Sequence, residues 1–244
     1  MRILEFQSAN AHILYDATAL CGPVTPELFT QEFWRNRRAV LGEALGRGTS
    51  IFFNPGEYAC HSPNEGWALR SYRRGGLAAK ISKRRYIWRG DAYTRAAREF
   101  RLTMALYDKG LSVPQPVGAC VWRTGFLCEA ALITVRIPGA MTLADCIANT
   151  DDLSYTSLRA LGELIRSAHD IGLDHVDMNA RNLLLDAQGK PWIIDLDRCR
   201  IRQGHGHHWQ TRNLERLERS LTRFAPSRAT GLMHEIRQGY RQQP

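Results

Sequence analysis

Three side chains in one stretch have the types and the spacing to handle a phosphoryl group. Asp177 and Asn182 stand five residues apart in His175–Asp186, HVDMNARNLLLD, and Asp195 follows eighteen residues after Asp177, inside Ile193–Asp197, IIDLD. A carboxylate can meet an acceptor hydroxyl and take its proton. An amide oxygen just downstream can hold one Mg²⁺, and a second carboxylate can hold Mg²⁺ against the β- and γ-phosphates of a nucleotide. Arg181, four residues after Asp177, is placed to offset charge on a migrating phosphoryl group. His175 reads as a prop for the loop rather than as a catalyst. Two short strands, Asn182–Asp186 and Trp192–Asp195, turning at Gln188-Gly189, would bring Asn182 and Asp195 to one edge. Either motif alone also fits a surface hairpin with acids at its ends; both together, in this order, favour the chemistry.

The order H-x-D-x-x-x-x-N followed by a metal-binding Asp is that of a protein-kinase catalytic loop and its D-F-G element, and it dictates what must lie upstream. Gly46-Arg47-Gly48-Thr49-Ser50, between the strand ends Ala44-Leu45 and Ile51-Phe53, is a glycine-rich turn that could lay backbone N–H groups on phosphates; its alternative is an ordinary hairpin turn. The third glycine of G-x-G-x-x-G is replaced by Ile51. Gly66–Tyr72 reads as the next strand, and its W-A-L-R puts Arg70 where a kinase carries a phosphate-clamping Lys. Arg keeps the charge and adds a planar fork; Lys80 and Lys83 are the alternatives. Thr94–Lys109 has a helical apolar face in Leu102, Phe100, Met104, Leu106 and Tyr107. Its Glu99 either pairs with Arg70, as the αC glutamate of a kinase pairs with the clamp, or pairs locally with Arg95.

The remaining elements are supports. Residues 1–24 read as irregular, with a possible strand at His12–Tyr15. Thr25-Pro26-Glu27 starts a helix with Leu28, Phe33, Trp34 and Val40 on its apolar side, ending near Gly42. Leu132–Val135 reads as a buried strand and Arg136–Gly139 as a turn, the expected hinge whose backbone would hold adenine. A short helix starts at Thr142. Ser154–Ile171 is a long helix with Leu158, Leu161, Ile165 and Ala168 inward, and His169 reads as a packed side chain. Trp209–Ala225 has an apolar seam of Leu214, Leu217, Leu221 and Phe224, with Arg212, Arg216, Arg219 and Arg223 on other faces. It suits a packed helix, a helix on an anionic membrane, or both. His205, His207 and His208 could bind metal by composition, but read rather as a solvated loop.

Composition sets limits. The 244 residues are enough for a sizeable core, and 44% hydrophobic with 9% aromatic residues excludes a disordered chain. No run of eighteen apolar residues occurs, and the start MRILEFQSANAHILYD lacks a signal pattern, so a cytoplasmic protein is expected. The six scattered cysteines, none in a C-x-x-C pair, read as reduced thiols. A net charge of +9 favours an anionic partner without choosing among nucleic acid, a membrane face and a phosphorylated substrate. Arg70–Arg89 holds eight cations and no acid, including Arg73, Arg74, Arg84 and Arg85, interleaved with Tyr72, Tyr86 and Trp88. Such a segment suits bases, a bilayer interface or a phosphorylated glycolipid.

Taken together, the chain resembles the lipopolysaccharide core kinases, in particular the 3-deoxy-D-manno-octulosonic acid (Kdo) kinases. The carriers are GRG at 46–48, ALRSYRRGGL at 68–77, REFRL at 98–102, RIPGA at 136–140, HVDMNARNLLLD at 175–186, IIDLDR at 193–198 and NLERLERSL at 213–221. Asp197 in place of the usual Gly, and Arg70 in place of Lys, look like that family's own pattern. The resemblance implies a bilobal, protein-kinase-like α+β fold. Its N-lobe, an antiparallel sheet with the Glu99 helix, would span 1–134; its mainly helical C-lobe, with the basic C-terminal helix, would span 135–244. It implies ATP and Mg²⁺ as cofactors, with Gly46, Gly48 and Arg70 on phosphates, Glu99 orienting Arg70, Asn182 and Asp195 on metal, and Asp177 and Arg181 catalytic. The implied acceptor is a hydroxyl of Kdo, position 4 in the family, on a Kdo–lipid A precursor at the cytoplasmic face of a Gram-negative inner membrane. The anionic membrane surface then becomes a partner for the basic segments, and no nucleic acid is expected. The rival readings are a small-molecule kinase of the aminoglycoside or choline type, and a non-catalytic kinase-like module binding anionic lipid or nucleic acid.

Overall fold

The computed structural model describes the chain except residues 45–49, 62–65, 73–85, 88–93, 126, 150–152, 204–207 and 243–244. Gly46, Gly48, Arg73, Arg74, Arg84 and Arg85 lie outside the described residues, as do Lys80, Lys83, His205 and His207. The chain divides into two compact units, Met1–Ala105 with Gln115–Arg136, and Leu106–Pro114 with Ile137–Pro244. The architecture is α+β, with antiparallel strand pairing throughout.

The first unit is built on strands β1 (Ile3–Gln7), β2 (Ala11–Asp16), β3 (Val40–Ala44), β4 (Ser50–Phe53), β5 (Trp67–Ser71), β6 (Tyr86–Ile87), β7 (Pro116–Thr124) and β8 (Leu127–Val135). They form one sheet in the order β1-β2-β7-β8-β5-β4-β3, with β6 also on β8. Helix α1 (Gln31–Asn36) follows β2, and α2 (Arg95–Asp108) follows β6. Successive strand side chains point to opposite faces, and each face has its own core. One is lined by Ile13, Phe53, Trp67, Leu69 and Ile133 with Phe29 and Trp34. The other carries Leu14, Ala119, Val121, Ala130 and Leu132, covered by Ala96, Ala97, Phe100 and Met104 of α2. Trp67 and Leu69 being on the first face, Arg70 falls on the face that α2 covers.

Three expectations are corrected here. The helix read from Thr25 to near Gly42 is a short 3₁₀ turn, Pro26–Phe29, and then α1, which Thr30 caps by accepting from the Phe33 N–H at 3.3 Å. Arg38 adopts φ 55° and reverses the chain, so Val40 begins a strand instead of extending the helix. Residues 3–7, read as irregular, are an edge strand; all five are exposed, so no burial pattern marks them. Cys21 and Cys60 are joined by a disulfide, whereas Cys120, Cys128, Cys146 and Cys199 are not disulfide-bonded. The bridge between Leu20 and Ala59 sets the two disulfide cysteines side by side, 39 residues apart in sequence. Spacing alone does not reveal such a pair.

The second unit contains strands β9 (Met141–Thr142), β10 (Leu173–Asp174), β11 (Leu183–Leu185), β12 (Pro191–Ile193) and β13 (Arg200–Ile201) and helices α3 (Leu143–Asn149), α4 (Tyr155–Asp170), α5 (His208–Phe224) and α6 (Ala229–Arg241). The small sheets pair as β12-β11-β9 and β10-β13. Helix α4 buries Leu158, Leu161, Leu164, Ile165 and Ala168, the stripe its apolar spacing requires. Its Gly162 meets α6 backbone to backbone, with Gly239 of α6 against α4 in the same way. No helix among the described residues is long and apolar enough to cross a membrane.

Candidate active site

In the second unit the loop and hairpin are tied together by their own backbone. Leu183–Leu185 pairs with Pro191–Ile193, and Asp186 accepts bonds from the Gln188 N–H, the Lys190 N–H and the Trp192 indole within 3.0 Å, while Gly189 takes φ 76°. The Ile194 N–H donates to the Asn182 carbonyl at 3.0 Å, which places Asp195 next to Asn182 at the open end of the hairpin. Asn182 is buried, and its amide nitrogen donates to the Asp177 carbonyl at 2.8 Å. That bond commits the NH₂ end inward and leaves the amide oxygen for a cation. Asp177 is exposed; its carboxylate accepts from the Asn179 amide at 3.1 Å. Asn179 in turn accepts from the Arg181 N–H at 2.9 Å and closes the turn. Asp195 is half-buried and adopts φ 59°, a left-handed conformation that Asp tolerates better than most residues.

His175 is completely buried beneath this loop. Its Nε2 bonds the Ile194 carbonyl at 3.1 Å, so that nitrogen carries the proton of a neutral ring. Burial lowers its pKa, outweighing the Ile194 carbonyl and the Asp195 and Asp177 charges, which pull the other way. Beside it the buried Asp174 carboxylate is clasped by Arg202, with Nε at 2.9 Å and Nη2 at 2.8 Å, and by Arg200 at 3.4 Å. The segment beyond Asp195 is thereby fastened to the root of the loop. This clasp went unread in the sequence; the charges were visible, but the β10–β13 pairing that joins them was not.

In the first unit Arg70 pairs with Glu99, the alternative to the local Arg95 partner. Glu99 lies on the buried side of α2, 4% exposed, where a carboxylate requires compensating donors. Two supply them. Arg70 is one; the other is the hydroxyl of Tyr72, which donates to Glu99 and accepts from Arg70 at 3.1 Å. Burial and then the Glu99 charge push the Tyr72 hydroxyl well above its ordinary pKa, so it stays a donor. Arg95 lies over the Tyr72 ring, 5.6 Å from its centroid. Tyr72 was read only as one aromatic of a basic segment. Its position two residues after Arg70, hence on the same sheet face, was the available signal.

The donor set suits Mg²⁺. One amide oxygen and one carboxylate is what a cation completed by phosphate oxygens and water needs, and no cluster of three or more His, Cys, Asp or Glu among the described residues offers a closed metal cage.

Comparison with known proteins adds a second line. The description of the lipopolysaccharide kinase (Kdo/WaaP) family matches residues 31–240. The chain is 37% identical over 219 residues to a 3-deoxy-D-manno-octulosonic acid kinase of Vibrio parahaemolyticus, covering 90% of this chain and 87% of the relative. It is 41% identical over 204 residues to the protein of that name from Stenotrophomonas maltophilia, covering 83% and 77%. It is 35% identical over 227 residues to that from Haemophilus influenzae, covering 89% of each.

Proposed function

The chain belongs to the lipopolysaccharide kinase (Kdo/WaaP) family, and from that premise we propose that it transfers the γ-phosphate of ATP to a hydroxyl of Kdo, position 4, on a Kdo–lipid A precursor. The acceptor oxygen forms a bond to the γ-phosphorus, the bond to the β,γ-bridging oxygen breaks, ADP leaves, and the hydroxyl proton passes to the Asp177 carboxylate. Asp177 is exposed, and its contribution is chiefly to aim the hydroxyl, as a loose transition state requires. Asn182 and Asp195 would hold Mg²⁺, which when bound neutralises charge on the β- and γ-phosphates. Arg70, fixed by Glu99 and Tyr72, would clamp phosphate, assisted by backbone N–H groups at Gly46 and Gly48. Arg181, exposed beside Asp177 on the loop, would take up charge on the migrating group.

Such an acceptor is an anionic lipid, and the chain meets it with a net charge of +9 and without a membrane-crossing helix among the described residues. We place the enzyme peripherally at the cytoplasmic face of the inner membrane, held by Arg73, Arg74, Arg84 and Arg85, with Tyr86 and Trp88 following them in sequence.

The observation that carries the reading is the Asn182 amide, polarised by Asp177 and set next to Asp195. Incubation with Mg-ATP and a Kdo–lipid A precursor should add one phosphate by mass spectrometry, and Asp177→Ala should abolish the gain. Turnover with a different acceptor only would overturn the Kdo assignment while keeping the chemistry. No turnover with any acceptor would overturn both.

A further inference from the structure

Helix α5 is more than a prop for its unit, because it touches the catalytic loop. The Ala180 N–H donates to Ser220 Oγ at 3.0 Å, and the Arg181 guanidinium lies over the Phe224 ring, 5.2 Å from its centroid. Ala180 and Arg181 are the third and fourth residues after Asp177. The arginines of α5 fall at 212, 216, 219 and 223, steps of four, three and four, which makes a stripe about 16 Å long on one side of the helix. That side borders the one bearing Ser220 and Phe224, since Arg216 and Arg223 stand four before and three after Ser220. Arg212, Arg219 and Arg223 are exposed, and Arg216 is tied to Asn213 Oδ1 at 3.2 Å.

The acids of this helix do not cancel the stripe. Glu218 is on the opposite flank and pairs with Arg237 of α6 at 2.8 Å. Glu215 is one charge against four and makes no ion pair among the described residues. Arg219 and Arg223 likewise have no carboxylate partner among them. Uncompensated guanidinium groups with planar forks are the groups that bind phosphate monoesters in two-point fashion. They stand on the helix whose Ser220 and Phe224 contact Ala180 and Arg181, three and four residues after Asp177.

We propose that Arg219 and Arg223 of α5 receive phosphate groups of the acceptor itself and so set its register against Asp177. This deepens the function proposed above and rests on it. A mere membrane anchor needs no fixed register with the catalytic loop, and the Ser220 and Phe224 contacts supply one; phosphate carried by the acceptor is therefore the favoured source over bulk headgroups.

The test compares the full-length chain with the double variant Arg219→Gln, Arg223→Gln, matched by circular dichroism and thermal midpoint. Both are assayed on a Kdo–lipid A precursor in detergent micelles and on the same precursor with its lipid A phosphates removed. The variant should raise KM for the phosphorylated acceptor about tenfold or more, with KM for ATP and kcat within about twofold. On the dephosphorylated acceptor the unsubstituted chain should already show the raised KM, and the variant should add nothing. Binding to vesicles of anionic phospholipid should be unchanged. An unchanged KM overturns the proposal. So does an equal rise with both acceptors accompanied by lost vesicle binding, which would make the stripe a membrane contact. No phosphorylation of either acceptor by the unsubstituted chain would instead overturn the function and this inference with it.

Discussion

Asp195 is held at φ 59°, a backbone state that costs an L-residue roughly 1–2 kcal/mol and that Asp and Asn bear best. Asp195→Asn therefore preserves the conformation and removes only the charge. Turnover should fall about 100-fold or more, with a raised Mg²⁺ requirement and a thermal midpoint within a degree or two. A titration of rate against Mg²⁺ checks this; full activity in the variant would remove Asp195 from the metal site. Tyr72 poses a different question. Tyr72→Phe keeps the packing and deletes one of the donors on buried Glu99, leaving a charge short of a partner. A loss of about 1–3 kcal/mol is expected from denaturant unfolding. Because the hydroxyl also bonds Arg70, KM for ATP should rise several-fold while KM for the acceptor holds. Equal changes in both constants would mean that Tyr72 supports the fold and not the clamp.

Helices α4 and α6 cross where neither carries a side chain. A Cβ on Gly162 would sit 2.0 Å from the Ile236 carbonyl oxygen, and one on Gly239 would sit 1.9 Å from that of Arg159. Backbone cannot step aside as a side chain can, so Gly162→Ala should cost about 2 kcal/mol or more despite the better helix propensity of Ala. Gly231→Ala in the same α6, with nothing within 4 Å, should instead gain up to about 1 kcal/mol; urea midpoints of the two variants should move in opposite directions. These glycines also explain why α6 was illegible: in sequence, Gly231 and Gly239 look like breakers, and only a neighbouring helix gives Gly239 a purpose. The hairpin from Asn182 to Asp195 was legible because its two apolar runs and the Gln188-Gly189 turn between them lie within a few residues. The Arg70–Glu99 pair was legible from the kinase order alone, in which a glutamate of the following helix pairs with the clamping cation of the strand. The Cys21–Cys60 pair and the Asp174 clasp were not, since each depends on a strand or bridge partner distant in sequence. At the far end of α4, His169 bonds the Tyr240 hydroxyl at 2.8 Å and lies within 3.4 Å of the Asn213 amide, with Trp209 edge-on. Burial lowers its pKa to about 4, more than the Asp174 charge raises it. The unfolded chain therefore binds a proton that the folded one refuses between about pH 6.5 and 4. Stability should be complete above about pH 6.5 and fall by up to about 3 kcal/mol as pH drops through that window. His169→Gln should flatten much of this slope in urea unfolding at neutral and acid pH; His175, lowered in the same direction, should keep the rest.

At the scale of the whole molecule the governing quantity is charge. A +9 chain near an anionic bilayer gains about 1 kcal/mol for each Lys or Arg that reaches the surface, within a Debye length of about 10 Å at 0.1 M salt. The segment from Arg73 to Arg89 concentrates seven such residues with no acid, and Tyr86 and Trp88 near its end suit the headgroup layer. Binding to vesicles containing anionic phospholipid should be strong at low salt and weaken steeply as salt is raised, with little binding to neutral vesicles. Arg84→Glu with Arg85→Glu removes two attractive charges and adds two repulsive ones, so affinity should drop roughly 30-fold or more. Turnover of the glycolipid on vesicles should fall with it, whereas turnover of the same glycolipid dispersed in detergent should change little, because the catalytic loop and the α5 arginines are intact. Co-sedimentation and parallel assays on the two forms of acceptor measure both. If reversal at Arg84 and Arg85 leaves vesicle binding and vesicle turnover unchanged, this segment is not the membrane contact, and the net charge serves the acceptor alone.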